Sequence, residues 1–190
     1  SSSVSTPSRY SLLTGRYNWR STEKSGVLGG YSKALIPQGR RTVASVLKDQ
    51  GYETACIGKW HLGWNWDNID AGVDSIDFSK PITNGPTTLG FDYFYGISGS
   101  LDMAPYVYVE NNMPTALPDR VTENTGMKFW RKGPTASDFD HEQTMPNFVN
   151  RAVRYIHKKA KSDRPFFLYL PLPAPHTPIL PIKEYQGKSG

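Results

Sequence analysis

Two stretches of this chain follow one order: an amphipathic helix, a short apolar strand, then a polar loop that carries a histidine. In the first, Val43, Val46 and Leu47 form one helical face over 42–50 and Gly51 stops the helix. A strand over 53–58 with the core Thr54-Ala55-Cys56-Ile57 follows, and it opens into Lys59-Trp60-His61-Leu62-Gly63-Trp64. In the second, Phe148, Val149, Ala152, Val153, Ile156 and Ala160 recur at i, i+3 and i+4 over 146–160. A strand over 165–170 comes next, and Pro171-Leu172-Pro173-Ala174-Pro175-His176-Thr177-Pro178 follows it. Helices alternating with short buried strands place those strands side by side in parallel, with the helices on the sheet faces. The expected fold class is therefore α/β, a predominantly parallel (mixed) sheet flanked by helices. Polar side chains just past the strand ends are the natural place for a site.

A further helix is expected over 8–14, with Pro7 ahead of it and Gly15 as its stop, which puts Ser5 just before a helix N-terminus. From Asn65 to Pro146 the pattern is irregular, with prolines and glycines separating aromatic runs such as Phe91-Asp92-Tyr93-Phe94-Tyr95. Long ordered loops of this kind usually serve function.

Composition excludes several classes. One cysteine among 190 residues cannot build a disulfide framework or a cysteine-rich zinc module, and Cys56, inside an apolar strand, reads as a core thiol. No apolar run reaches the roughly 18 residues of a membrane span. The opening Ser-Ser-Ser-Val-Ser lacks the basic and apolar regions of a signal peptide. A formal net charge of +5 admits an anionic partner. The densest basic cluster, Arg151 to Lys161, alternates with apolar residues at helical spacing and reads as a solvated helix face, so no nucleic-acid partner is expected. His141 and His157 read as surface or helix residues. Neither a Gly-x-Ser-x-Gly elbow, a Walker loop nor a Gly-x-Gly-x-x-Gly fingerprint occurs.

Three ordered motifs carry chemistry. Ser5-Thr6-Pro7-Ser8-Arg9 with Thr14-Gly15-Arg16 resembles the first signature of the type I, formylglycine-dependent sulfatases. Gly58-Lys59-Trp60-His61-Leu62-Gly63 resembles the second signature of that family without departure. Pro175-His176-Thr177-Pro178 is similar to a third feature, a histidine between prolines after a buried strand. Gly96-Ile97-Ser98-Gly99-Ser100-Leu101-Asp102 is similar to a loop of polysaccharide-type members in which the matching serine binds sulfate.

The resemblance implies an alkaline-phosphatase-like fold and a formylglycine made from residue 5 by a maturation enzyme, whose hydrate supplies the oxygen that attacks sulfur. Carried over, Arg9 fixes the hydrate, Lys59 binds hydrate and sulfate, and His61 takes a proton from the hydrate. His176 contacts sulfate and helps the departing sugar oxygen gain its proton, and Ser100 binds sulfate. Asp102 either holds a sugar hydroxyl or caps a turn. The physics agrees at residue 5, because an oxyanion near a helix N-terminus meets unpaired N–H groups and the positive dipole end.

The family also implies one calcium. Its two acidic ligand pairs are missing here, so Ser5, as formylglycine, is the only metal ligand expected within the chain, and residues 1–190 read as an internal piece of one N-terminal catalytic domain, incomplete at both ends. A sulfated glycan substrate and a periplasmic or secreted location follow from the same resemblance. Ser5 is either the native precursor or a replacement for cysteine. Two other readings stay open: a phosphomonoesterase or phosphonate hydrolase of the same superfamily, and a non-catalytic sulfated-glycan binder in which Trp60, Trp64 and Trp66 stack on sugars.

Overall fold

The computed structural model describes residues 2–188. Helix α1 (Ser5–Thr14) and helix α2 (Val43–Asp49) precede the first strand, β1 (Glu53–Lys59). Strands β2 (Tyr93–Ile97), β3 (Val109–Glu110) and β4 (Met113–Pro114) follow, then β5 (Pro118–Asn124) and β6 (Trp130–Ala136), helix α3 (Thr144–Lys159) and strand β7 (Phe166–Tyr169). Five strands form one sheet in the order β4-β3-β2-β1-β7. β1 runs parallel to both β2 and β7, pairing Cys56 with Phe94 on one side and with Tyr169 on the other. β3 and β4 extend it antiparallel, so the sheet is mixed, as expected.

β2 is the strand that the sequence pattern hides. Phe94 and Tyr95 point to opposite faces of the sheet, and both faces are covered. Phe94 meets Trp60 and Trp64 edge-on, while Tyr95 meets Phe148 of α3. A strand buried on both sides loses the polar alternation that would announce it. The β5–β6 hairpin is hidden for the opposite reason: it is largely exposed, and prolines stand at 118 and 134.

Boundaries shift at two helices. α1 begins at Ser5, so that residue occupies the first turn instead of preceding the helix. Pro7 still fits, since first-turn N–H groups have no partner within the helix. α3 begins at Thr144, and only Phe148 and Ala152 of its apolar positions are buried. Val149, Val153 and Ile156 remain 40–45% exposed, so the sheet-facing stripe is narrower than the spacing implies.

Trp60, Trp64 and Trp66 are 0–3% exposed and pack with Phe78, Phe91 and Phe94. These rings are core and do not offer a sugar-stacking face; burial of such side chains contributes about 2–3 kcal/mol each. Cys56 is fully buried, as a core thiol should be. Two glycines let the strands approach at the end that carries the polar loop. A Cβ on Gly96 would lie 1.9 Å from the Gly58 carbonyl oxygen, and one on Gly58, whose φ is +133°, would lie 2.4 Å from that of Pro171. No helix of the described residues is long and apolar enough to cross a membrane.

Candidate active site

The site begins in the first turn of α1. Residues four apart share one helix face, and Arg9 Nε donates to Ser5 Oγ at 2.7 Å. Arg9 Nη1 also donates to the carbonyl of Lys59 at 2.6 Å and to the Tyr169 hydroxyl at 3.4 Å, tying the helix to the ends of β1 and β7. Burial pushes the Tyr169 phenol up to about 12, so it stays neutral. The residue before α1, Val4, gives no side-chain cap, and the first turn holds no acidic residue. The unpaired amide dipoles there favour an anion.

β1 delivers Lys59 and, two residues later, His61. Both are 2% exposed. His61 has φ +56°, left-handed backbone that costs a residue other than glycine about 1–2 kcal/mol. Its amide donates to Ser98 O at 2.9 Å. The imidazole lies between Leu28 O, 2.5 Å from Nε2, and Ser5 Oγ, 2.9 Å from Nδ1. A carbonyl only accepts, so Nε2 carries the proton and Nδ1 of the neutral ring accepts from the Ser5 hydroxyl. Burial and then the nearby Lys59 charge lower the His61 pKa to about 4, which keeps the ring neutral. Ser5 therefore has a proton acceptor in contact.

The Lys59 ammonium has no hydrogen bond to protein among the described residues. Burial and the Arg9 cation lower its pKa to about 8, with Asp102 pulling the other way. It remains a cation at neutral pH and is available to an anionic group.

A second cluster stands beside the first. Ser100 Oγ donates to Asp102 Oδ1, and Asp102 Oδ2 accepts from Arg131 Nη1 at 2.5 Å. Burial raises the Asp102 pKa, but the Ser100 and Arg131 hydrogen bonds outweigh it and hold the carboxyl below its usual range. His176 Nδ1 donates to Thr177 O at 2.7 Å and lies 3.9 Å from Asp102 Oδ1, with half of its side chain exposed. The charge of Asp102 acts on Lys59 and that of His176 on His61, so the two clusters share one neighbourhood.

All seven residues expected from sequence thus gather in one region, with changes of partner. The Ser100 hydroxyl, expected to meet sulfate, donates to Asp102 in this structure. Arg131, on the exposed hairpin, was not anticipated, because one arginine in a polar strand carries no local signal. His141 is buried, contrary to the surface reading: it stacks on Trp130 at 3.8 Å, and burial lowers its pKa to about 4. His157 is exposed on α3.

No three of His, Cys, Asp and Glu among the described residues come together to hold a metal ion. Around Ser5 stand Arg9, Lys59 and a neutral imidazole, whereas a calcium ion needs six or more oxygens. The donors of this chain alone do not fit calcium. A cavity of about 360 Å³ opens elsewhere, beneath α3 between Tyr93, Arg151 and Tyr155.

A family model described as Sulfatase matches residues 1–190. An N-acetylgalactosamine-6-O-sulfatase of Bacteroides thetaiotaomicron is 33% identical, covering 100% of this chain and 42% of that protein. Arylsulfatase G of Mus musculus is 32% identical over 93% of the chain and 33% of its own length. Among solved structures, one from work on the metabolism of multiple glycosaminoglycans by Bacteroides thetaiotaomicron superposes with a TM-score of 0.81 at 29% identity, covering 98% of this chain and 44% of that one. A sulfatase from Pseudoalteromonas sp. shares the fold at a TM-score of 0.64 and 20% identity, over 97% of this chain and 36% of its own. The chain spans about two fifths of the first of these relatives and a third of the second.

Proposed function

The chain belongs to the sulfatase family, and on that premise we propose that residues 1–190 are part of one catalytic domain that hydrolyses sulfate esters of a glycan. One observation carries this reading. Ser5 Oγ sits between a donor, Arg9 Nε, and an acceptor, His61 Nδ1, in the same site as the buried Lys59 ammonium, which has no hydrogen bond to protein among the described residues. That is an oxygen nucleophile position, a proton acceptor and a fixed cation for a tetrahedral anion.

Residue 5 fits oxidation to formylglycine, since its oxygen already has one donor and one acceptor neighbour and lies in a helix first turn that favours negative charge. As a hydrate it would supply two hydroxyl groups, one to attack sulfur and one whose deprotonation expels sulfate. Arg9 orients the attacking oxygen. Lys59 binds the sulfate oxygens and stabilises the charge that grows on them as the ester bond breaks. His61 Nδ1 takes the proton from residue 5. His176, whose Nδ1 proton is held by Thr177 O, supports proton delivery to the departing sugar oxygen. Asp102, kept ionised, is an acceptor for a sugar hydroxyl, and Ser100 contributes by holding Asp102. Any calcium near residue 5 takes its carboxylates from outside this chain.

The N-acetylgalactosamine-6-O-sulfatase and the glycosaminoglycan-related structure support a sulfated glycan as substrate. A periplasmic or secreted location and a formylglycine-generating partner belong to the same proposal. The test is sulfate release from sulfated oligosaccharides by the full-length, matured protein. Lys59→Ala should lower kcat by about 10²–10³-fold, and His176→Ala by at least about 10²-fold. Undiminished turnover in both variants would sink the assignments. The mass of the peptide containing residue 5, from its native host, should be lower by two hydrogens.

A further inference from the structure

We infer that Thr6 is a positioning residue that fixes the tautomer of His61 and thereby the direction in which a proton leaves residue 5. Thr6 is 1% exposed and follows the nucleophile position in the first turn of α1. Its hydroxyl donates to the His61 carbonyl at 3.0 Å and accepts from the Leu28 amide at 3.1 Å. The Leu28 carbonyl in turn accepts from His61 Nε2 at 2.5 Å. These contacts close a ring: Thr6 hydroxyl, His61 backbone, His61 imidazole, Leu28 backbone, and back to Thr6.

The ring has a chemical consequence. An imidazole with its proton on Nδ1 would turn two acceptor lone pairs, those of Nε2 and the Leu28 carbonyl, against each other. Holding that carbonyl in place therefore puts the proton on Nε2 and leaves Nδ1 as the acceptor facing Ser5 Oγ. Thr6 grips Leu28 through its amide and His61 through its carbonyl, so it sets the two ends of the imidazole contact at once. The left-handed backbone of His61 makes that grip matter, because strained backbone persists only where the surroundings over-determine it. α1 thus carries residue 5 and the group that aims its proton acceptor on adjacent residues. Hydroxyl chemistry is required, since the group must donate and accept together; threonine and serine can do this and valine cannot.

The catalytic consequence rests on the sulfatase reading, but the tautomer does not. The experiment is nitrogen NMR of histidine-labelled full-length protein, comparing wild type, Thr6→Ser and Thr6→Val at neutral pH. Wild type and Thr6→Ser should show His61 as the Nε2–H form. Thr6→Val should show a mixture of both forms, with kcat for sulfate release down about ten- to a hundredfold, KM little changed, and the rate restored in Thr6→Ser. A folded Thr6→Val protein with an unaltered Nε2–H form overturns the inference. If Thr6→Val does not fold, hydrogen exchange in the wild type decides. Slow exchange of the Thr6 hydroxyl and the Leu28 amide is required, and rapid exchange of either overturns the inference. Absence of sulfatase activity in the wild type would remove the functional reading and leave the tautomer result standing.

Discussion

The inner cluster of Ser5, Arg9, Lys59 and His61 and the outer cluster of Ser100, Asp102, Arg131 and His176 sit side by side, yet their chemistry has different sources. The inner cluster is shaped by loss of water. Lys59 and His61 are 2% exposed, and burial is the largest cause of both lowered pKa values. The outer cluster is shaped by pairing at a wet rim, with the Arg131 and His176 side chains 55% and 50% exposed and the Asp102 carboxylate held by partners. Desolvation of Lys59 and His61 needs the strands and loops packed around them, so these two groups depend on the whole sheet. The rim depends on a few contacts and can vary with less effect on the fold.

The strongest way to break this contrast is Gly96→Ala. The added methyl carbon would lie 1.9 Å from the Gly58 carbonyl, so β1 and β2 must separate just below Lys59. A loss of about 3 kcal/mol or more is expected in denaturant unfolding of the full-length protein. A loss below about 1 kcal/mol would mean that the inner site does not depend on this close approach.

Acid stability sharpens the contrast next. His61 has a folded-state pKa near 4 against the usual 6.5, so the unfolded chain takes up the proton first. The contribution from His61 is fully present above pH 6.5 and is lost as pH falls through the window to about 4. Wild type should lose roughly 3 kcal/mol more than His61→Gln across that window. His141, lowered in the same direction by burial, contributes to both proteins and cancels. Parallel curves of stability against pH would contradict the burial of a neutral His61.

The smallest effect is expected at the rim. Arg131→Gln removes a half-exposed partner from Asp102 and should cost about 1 kcal/mol of stability. Under the proposed function it should act mainly on KM. A loss as large as that of Gly96→Ala would place Arg131 with the inner cluster.

The parts legible in sequence were those that local chemistry determines. Helix α2 and strand β1 announce themselves through spacing and a glycine stop, and Lys59, His61 and His176 through their places after strands. β2 was not legible because burial on both faces erases alternation. The β5–β6 hairpin, and Arg131 with it, was missed because exposed polar strands with prolines resemble loops. Trp60, Trp64 and Trp66 invited a sugar-stacking reading because their composition is that of a binding surface; packing against Phe78, Phe91 and Phe94 made them core.

By itself the sequence determined the class of fold, the order of the motifs and the residue types that meet an anion. Helix periodicity, apolar runs and side-chain chemistry are properties of neighbours along the chain. Only the tertiary structure decided that Ser5 lies between Arg9 and His61, that Leu28 and Thr6 set the imidazole, and that Ser100 is engaged by Asp102. Contacts such as those of His61 with Ser5 and Leu28 join residues 56 and 33 positions apart. They exist only once parallel pairing of β1 with β2 and β7 has brought the strand ends together and burial has removed the water that would otherwise satisfy the same groups.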